Sequence, residues 1–122
     1  MRATYTSAAR LLRPSDYITA LRGRRVGKGA LFVLMTPKLP TQADTSQARL
    51  GLIIAKRFAP KAVTRNTIKR VIRESFRQRQ HQLPKKDFVF RLHSPIGDLS
   101  LRQLKKLVHT EVNSLLDKGM VC

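Results

Sequence analysis

The chain has 122 residues, of which 25 are Lys or Arg and 7 are Asp or Glu, giving a formal net charge of +18. Hydrophobic residues make up 42%, ordinary globular usage that excludes a disordered basic tail, and the length suits one domain with one modest core. No apolar run approaches the roughly 18 residues of a spanning helix, and a folded chain this unbalanced in charge calls for a polyanion, with nucleic acid first and an anionic membrane surface second.

Residues 1–13, MRATYTSAARLLR, are basic and free of acids. They read as a basic arm that orders on RNA, with an organellar transit peptide as the alternative. RPSDYITALRG predicts a short helix opened by Pro14, capped by Ser15 or Asp16 and stopped at Gly23, with Tyr17, Ile18 and Leu21 on one face. RRVGKG then leads through two glycines into the apolar strand ALFVLMT, a hairpin pattern. PKLPTQADTSQA (37–48) reads as an exposed loop. RLGLIIAKR (49–57) predicts a strand with Leu50, Leu52 and Ile54 toward the core and Gly51, Ile53 and Ala55 on the other face. The small members of that second set allow close approach, by a packed helix or by a ligand. Lys56 and Arg57 end the strand with positive charge.

KAVTRNTIKRVIRESFR (61–77) predicts a helix from an N-cap at Thr64, with Ile68, Val71, Ile72 and Phe76 recurring at helical spacing and Ser75 and Leu83 extending their face. At 100° per residue from Arg65, Lys69, Arg73, Asn66, Arg77 and Arg70 fall between about 40° and 140°, and Glu74 lies off this stripe near 180°. A merely solvated face would intersperse acids for pairing. A row of guanidinium forks suits successive phosphates, and Asn66 adds a donor and an acceptor for a sugar or base edge.

After a helix end at Pro84, DFVFRLH alternates Phe88, Phe90 and Leu92 against Val89 and Arg91 as a strand, and SPIGD is a turn. SLRQLKKLVHTEVNSLLDKG predicts a last helix capped by Ser100, with Leu101, Leu104, Val108, Val112 and Leu115 inward and Gly119 as its stop, before a tail at 120–122. The fold class is α+β: one domain over 14–119, about four strands and three helices in the order α-β-β-β-α-β-α, with helices over one sheet. Cys122 has no partner within the chain, which fits a reducing cytosol. His81, His93 and His109 show no ligand spacing, the seven acids form no close pair, and there is no Gly-rich phosphate loop. No catalytic or metal-ligating residue is assigned.

RLGLIIAKR followed by KAVTRNTIKRVIRESFR resembles the signature region of the protein component of bacterial ribonuclease P, a strand ending in two basic residues before an RN..KR..RE.FR helix. Those helix positions are Arg65, Asn66, Lys69, Arg70, Arg73, Glu74, Phe76 and Arg77, and LLRPSDY and RQRQHQLPKKDFV extend the similarity. The resemblance implies a ribosomal-protein-like fold with a left-handed βαβ crossover, where the general rule would give a right-handed one. It implies a catalytic RNA partner, precursor tRNA as substrate, removal of the 5′ leader with RNA-bound Mg²⁺, no cofactor on the protein, no membrane and no required protein partner, in the cytoplasm. RNA binding is expected of Arg65, Asn66, Lys69, Arg70, Arg73 and Arg77, with Lys56, Arg57 and Lys61. A leader cleft is expected at Tyr17, Gly51, Ile53, Ala55, Lys56, Lys69 and Arg73, with Phe32 or Leu34 from the neighbouring strand, combining stacking, close approach and backbone cations. Ala55 where many members have Ser, Tyr17 for Phe, and the longer FAPKAV approach to the helix are departures. A general ribosomal-type RNA- or DNA-binding protein is the alternative, and a self-sufficient nuclease is disfavoured by the missing acid cluster.

Overall fold

The computed structural model describes residues 23–36, 48–83 and 87–120. The expected helix around Tyr17, the loop at 37–47, Pro84 and Cys122 lie outside the described residues. The elements are β1 (Arg24–Lys28), β2 (Phe32–Thr36), β3 (Arg49–Ile53), α1 (Ala62–Arg79), β4 (Asp87–Leu92) and α2 (Leu101–Met120). They form one four-stranded sheet in the order β1-β2-β4-β3. β1–β2 and β2–β4 are antiparallel, whereas β3 and β4 are parallel neighbours joined through α1.

Register decides which side chains share a face. Leu34 pairs with Phe90 and Phe32 with Leu92, while Leu50 pairs with Phe88, so β2, β3 and β4 carry one apolar surface. Phe32 meets Phe90 edge to face, with ring centroids 6.4 Å apart. Ile68, Ile72 and Phe76 of α1 and Leu104, Val108, Val112, Leu115 and Leu116 of α2 cover this surface in a single core. The opposite face carries Val33, Arg91 and Ile53 in one row and Met35, Val89 and Gly51 in the next.

Polar ties hold the layers in register. Asp87, with no exposed surface, receives Arg49 through Nε–Oδ1 at 2.6 Å and Nη2–Oδ2 at 2.7 Å. Its backbone carbonyl accepts from the Thr36 hydroxyl at 2.8 Å. Arg79 of α1 donates to Asn113 and Asp117 of α2 at 2.6 and 3.3 Å. Glu111 of α2 accepts from the backbone N–H of Phe32 at 2.6 Å and of Leu31 at 3.0 and 3.1 Å, clamping the β1–β2 turn. Gly29 makes room for that clamp, since a Cβ there would lie 2.6 Å from Glu111 Cγ.

Four local expectations are corrected. β3 ends at Ile53 rather than running to Arg57, because the Ala55 carbonyl accepts from Phe58 and Ala59 and turns the chain. α1 starts at Ala62, two residues before Thr64, with extended Lys61 at the N-cap position and no side-chain cap. Arg65 instead folds back, its Nη1 donating to the carbonyls of Ala59 and Pro60 at 2.9 and 2.8 Å. Leu101, the first residue of α2, is 40% exposed rather than inward; the Ser100 cap holds, its hydroxyl accepting from the Gln103 N–H while Gln103 Oε1 accepts from the Ser100 N–H. Gly119 does not stop α2 but sits buried in its last turn, where a Cβ would come 3.4 Å from the Phe88 ring. A Cβ at that distance makes ordinary contact, so this is a regular helical position and not a left-handed cap.

Candidate nucleic-acid interface

The amphipathic reading of 61–77 places Ile68, Ile72, Ser75 and Phe76 inward, as expected from their spacing. The polar side then separates into cations the fold uses and cations it does not. Arg77 is held by Glu74 one turn back, a hydrogen bond that drives its guanidinium further toward the charged form. Arg65 braces the approach to the helix through two carbonyls. Arg57 lies over the Phe58 ring at 4.7 Å. By contrast, Lys69, Arg70 and Arg73 form no ion pair among the described residues, and Arg70, Arg73 and Asn66 are exposed. Lys56 and Lys61 are exposed where the chain approaches the same helix.

The acids explain why this stripe stays uncompensated. Among the described residues Glu74 binds Arg77, Asp87 binds Arg49, Asp117 binds Arg79 and Glu111 binds backbone amides. These four carboxylates are thus partnered, Asp87 in the core and Glu74 and Asp117 at the surface, and Asp98 is exposed in the turn before α2. A row of cations without ion pairs among the described residues, with one amide among them, can engage phosphates at little cost in broken pairs. No group of three His, Cys, Asp or Glu among the described residues is placed to hold a metal ion.

The sheet-face residues divide differently from expectation. Gly51 and Ile53 do lie on the face away from α1 and α2, beside Val89 and Arg91, and Ala55 follows half-buried in the turn beyond. Phe32 and Leu34 do not: both have no exposed surface and belong to the helix-covered core. Their β2 neighbours Val33 and Met35 face the other way. These two apolar side chains belong to a cleft of about 540 Å³ that is ringed by Arg25, Lys28, Arg91 and His93. The far end of the face is closed, since Val89 has no exposed surface and Gly51 is buried. Lys69 and Arg73 sit on the helix layer, so a strand touching both them and Ile53 must cross the β3 edge of the sheet. Tyr17 lies outside the described residues.

Arg25, Lys28, Val33, Met35 and Arg91 were not singled out by pattern. ALFVLMT is apolar at every position but its last, so period-two alternation carries no information about which side faces in. Arg91, the charge that breaks the apolar run FVFRL, was the available signal, because pairing Val33 opposite it fixes the parity of β2.

A family model described as Ribonuclease P matches residues 6–118. The chain is 52% identical over 114 residues to the ribonuclease P protein component of Bordetella parapertussis, covering 93% of each. It is 36% identical to that of Paraburkholderia xenovorans, covering 96% of this chain and 84% of the relative. Among solved structures, a Staphylococcus aureus RNase P protein superposes with a TM-score of 0.71 at 25% identity, covering 93% of this chain and 99% of that one. The Thermotoga maritima RNase P protein, at 22% identity and a TM-score of 0.62, shares the fold. With uncommitted cations along α1 and a sheet face ringed by cations, on a fold shared with those proteins, the chain belongs to the ribonuclease P protein family.

Proposed function

We propose that this chain docks on the catalytic RNA of ribonuclease P through the α1 stripe and steadies the 5′ leader of precursor tRNA across the sheet face. As the protein subunit of a ribonucleoprotein endoribonuclease it serves 5′ maturation of tRNA. The observation that carries the docking assignment is the partition of charge: among the described residues Lys69, Arg70 and Arg73 form no ion pair, while Glu74, Asp87, Asp117 and Glu111 are engaged by other partners. Positioning rather than chemistry is the role this supports. Backbone phosphates meet guanidinium and ammonium groups, and the leader lies over apolar Val33 and Met35 between Arg25, Lys28 and Arg91, a single-strand groove of cations around an apolar floor. Bond cleavage is assigned to Mg²⁺ held by the RNA, in the cytoplasm.

The test is precursor-tRNA cleavage at low Mg²⁺ by the protein alone, a bacterial ribonuclease P RNA alone, and both together. Cleavage that is strong only in the mixture is the expected result. Tight RNA binding without any gain in cleavage would leave a general RNA-binding protein, and cleavage by the protein alone would reinstate a self-sufficient nuclease.

A further inference from the structure

Helix α2 carries a second group of basic side chains that the docking stripe does not include. Arg102, Lys105, Lys106 and His109 are all exposed and recur at i, i+3, i+4 and i+7, which places them on one face along about 10 Å of helix. At 100° per residue from Arg102 they span about 300° to 40°, and Asn113 and Asp117 continue the same flank near 20° and 60°. Those two residues bind Arg79 of α1, so this flank borders α1 at its C-terminal end and is cationic at its N-terminal end. Glu111 lies near 180°, turned to the β1–β2 hairpin. Glu111 is thus engaged by backbone amides and Asp117 by Arg79, and Arg102, Lys105 and Lys106 form no ion pair among the described residues. The ring of His109 is oriented along this flank by Asn113, whose amide nitrogen lies 3.1 Å from its Nε2.

This placement runs against local stability. The first turn of α2 has no acid, and Arg102 in that turn opposes the positive end of the helix dipole. A chain already at +18 adds self-repulsion by concentrating charge there. A solvated helix face would relieve both with interspersed acids, and a polyanion relieves both at once. Arg79, the α1 residue that meets this flank, lies about 80–180° around α1 from the Lys69–Arg70 stripe, so the stripe lies off the α1–α2 contact and the two sets are carried by separate helices.

We infer that Arg102, Lys105, Lys106 and His109 form a second RNA-backbone surface, contacting a segment of the catalytic RNA other than the one on the α1 stripe. It rests on the docking reading above and extends it: the protein holds two parts of one RNA rather than one. The occupant is an RNA backbone because the surface offers charge without an aromatic platform or a base-reading amide, apart from Asn113, which is already bonded.

The experiment compares the full-length protein with the variant R102A/K105A/K106A for binding to a bacterial ribonuclease P RNA between 50 and 200 mM monovalent salt. Each lost phosphate contact lowers the log–log salt slope by roughly 0.7–0.9, so three should shrink the wild-type advantage by roughly 20–40-fold over that fourfold rise in salt. The variant R102K/K105R/K106R keeps the charge and should retain the wild-type slope. R70A, measured in parallel, should lower the slope by about one contact, and its combination with the triple variant should add in free energy. Wild-type affinity and slope in R102A/K105A/K106A, with R70A impaired, would overturn the second surface while leaving the docking stripe intact. No effect in either would overturn both. Loss of binding only to vesicles of anionic lipid, with RNA binding unchanged, would assign the face to a membrane and overturn the inference.

Discussion

Replacing Glu111 with alanine tests whether α2 sets the shape of the hairpin that carries half of the proposed leader cleft. The carboxylate accepts from Phe32 N–H at 2.6 Å and from Leu31 N–H at 3.0 and 3.1 Å. Phe32 has no exposed surface, so its orphaned N–H cannot turn to water, whereas half-buried Leu31 can in part. Hydrogen bonds to a charged group contribute about 1.5–3 kcal/mol each, and a stranded buried donor costs about 1–3 kcal/mol. Counting the Phe32 bond fully and the Leu31 bond partly gives a loss of about 3 kcal/mol. With a urea m-value of about 1.5 kcal/mol/M, the unfolding midpoint should fall by about 2 M at unchanged m, followed by far-ultraviolet circular dichroism. Glu111→Gln keeps one accepting oxygen and should recover about half of that loss. The same loosening shifts Lys28 and Val33, so Glu111→Ala should weaken binding of precursor tRNA to the holoenzyme more than binding of mature tRNA. A midpoint within about 0.3 M of wild type would refute the clamp, as would glutamine and alanine behaving alike.

Arg70→Ala should reduce the salt slope of catalytic-RNA binding by about one contact, shrinking the wild-type advantage about 2.5–3.5-fold between 50 and 200 mM salt, with no change in unfolding midpoint. Arg65→Ala should add a stability loss of about 1 kcal/mol to its binding defect, because two carbonyls lose their donor. Arg65→Lys should restore the salt slope without restoring the midpoint, and equal stability in all three forms would remove the bracing role. Asp87→Ala removes the buried carboxylate that receives the Arg49 guanidinium and should cost about 3–5 kcal/mol in urea unfolding. Arg91→Ala should weaken leader-bearing precursor tRNA by about 1 kcal/mol relative to mature tRNA, read from paired dissociation constants; identical losses on both substrates would exclude Arg91 from leader contact.

Much of this protein was determined by its sequence. The charge of +18 sets the class of partner regardless of fold, since Coulomb attraction to a polyanion needs no particular topology. The helical spacing of Ile68, Ile72 and Phe76 defines the buried side of α1 and therefore where Lys69, Arg70 and Arg73 must point. Alternation in RLGLIIAKR likewise sorts Leu50 from Gly51. These patterns are legible because they are periodic and local. The tertiary structure alone decided the rest. Which side of β2 faces the cleft depends on its pairing with Arg91, 58 positions away in the Val33 register, because a uniformly apolar strand has no phase of its own. Gly119 lies buried within the last turn of α2 instead of ending it, an outcome its residue type does not announce. Which arginines remain available for RNA depends on partners brought close by folding: Asp87 for Arg49, Asp117 for Arg79, and two loop carbonyls for Arg65. A side chain's type is local, but its pairing is a distance, and only the folded chain sets distances.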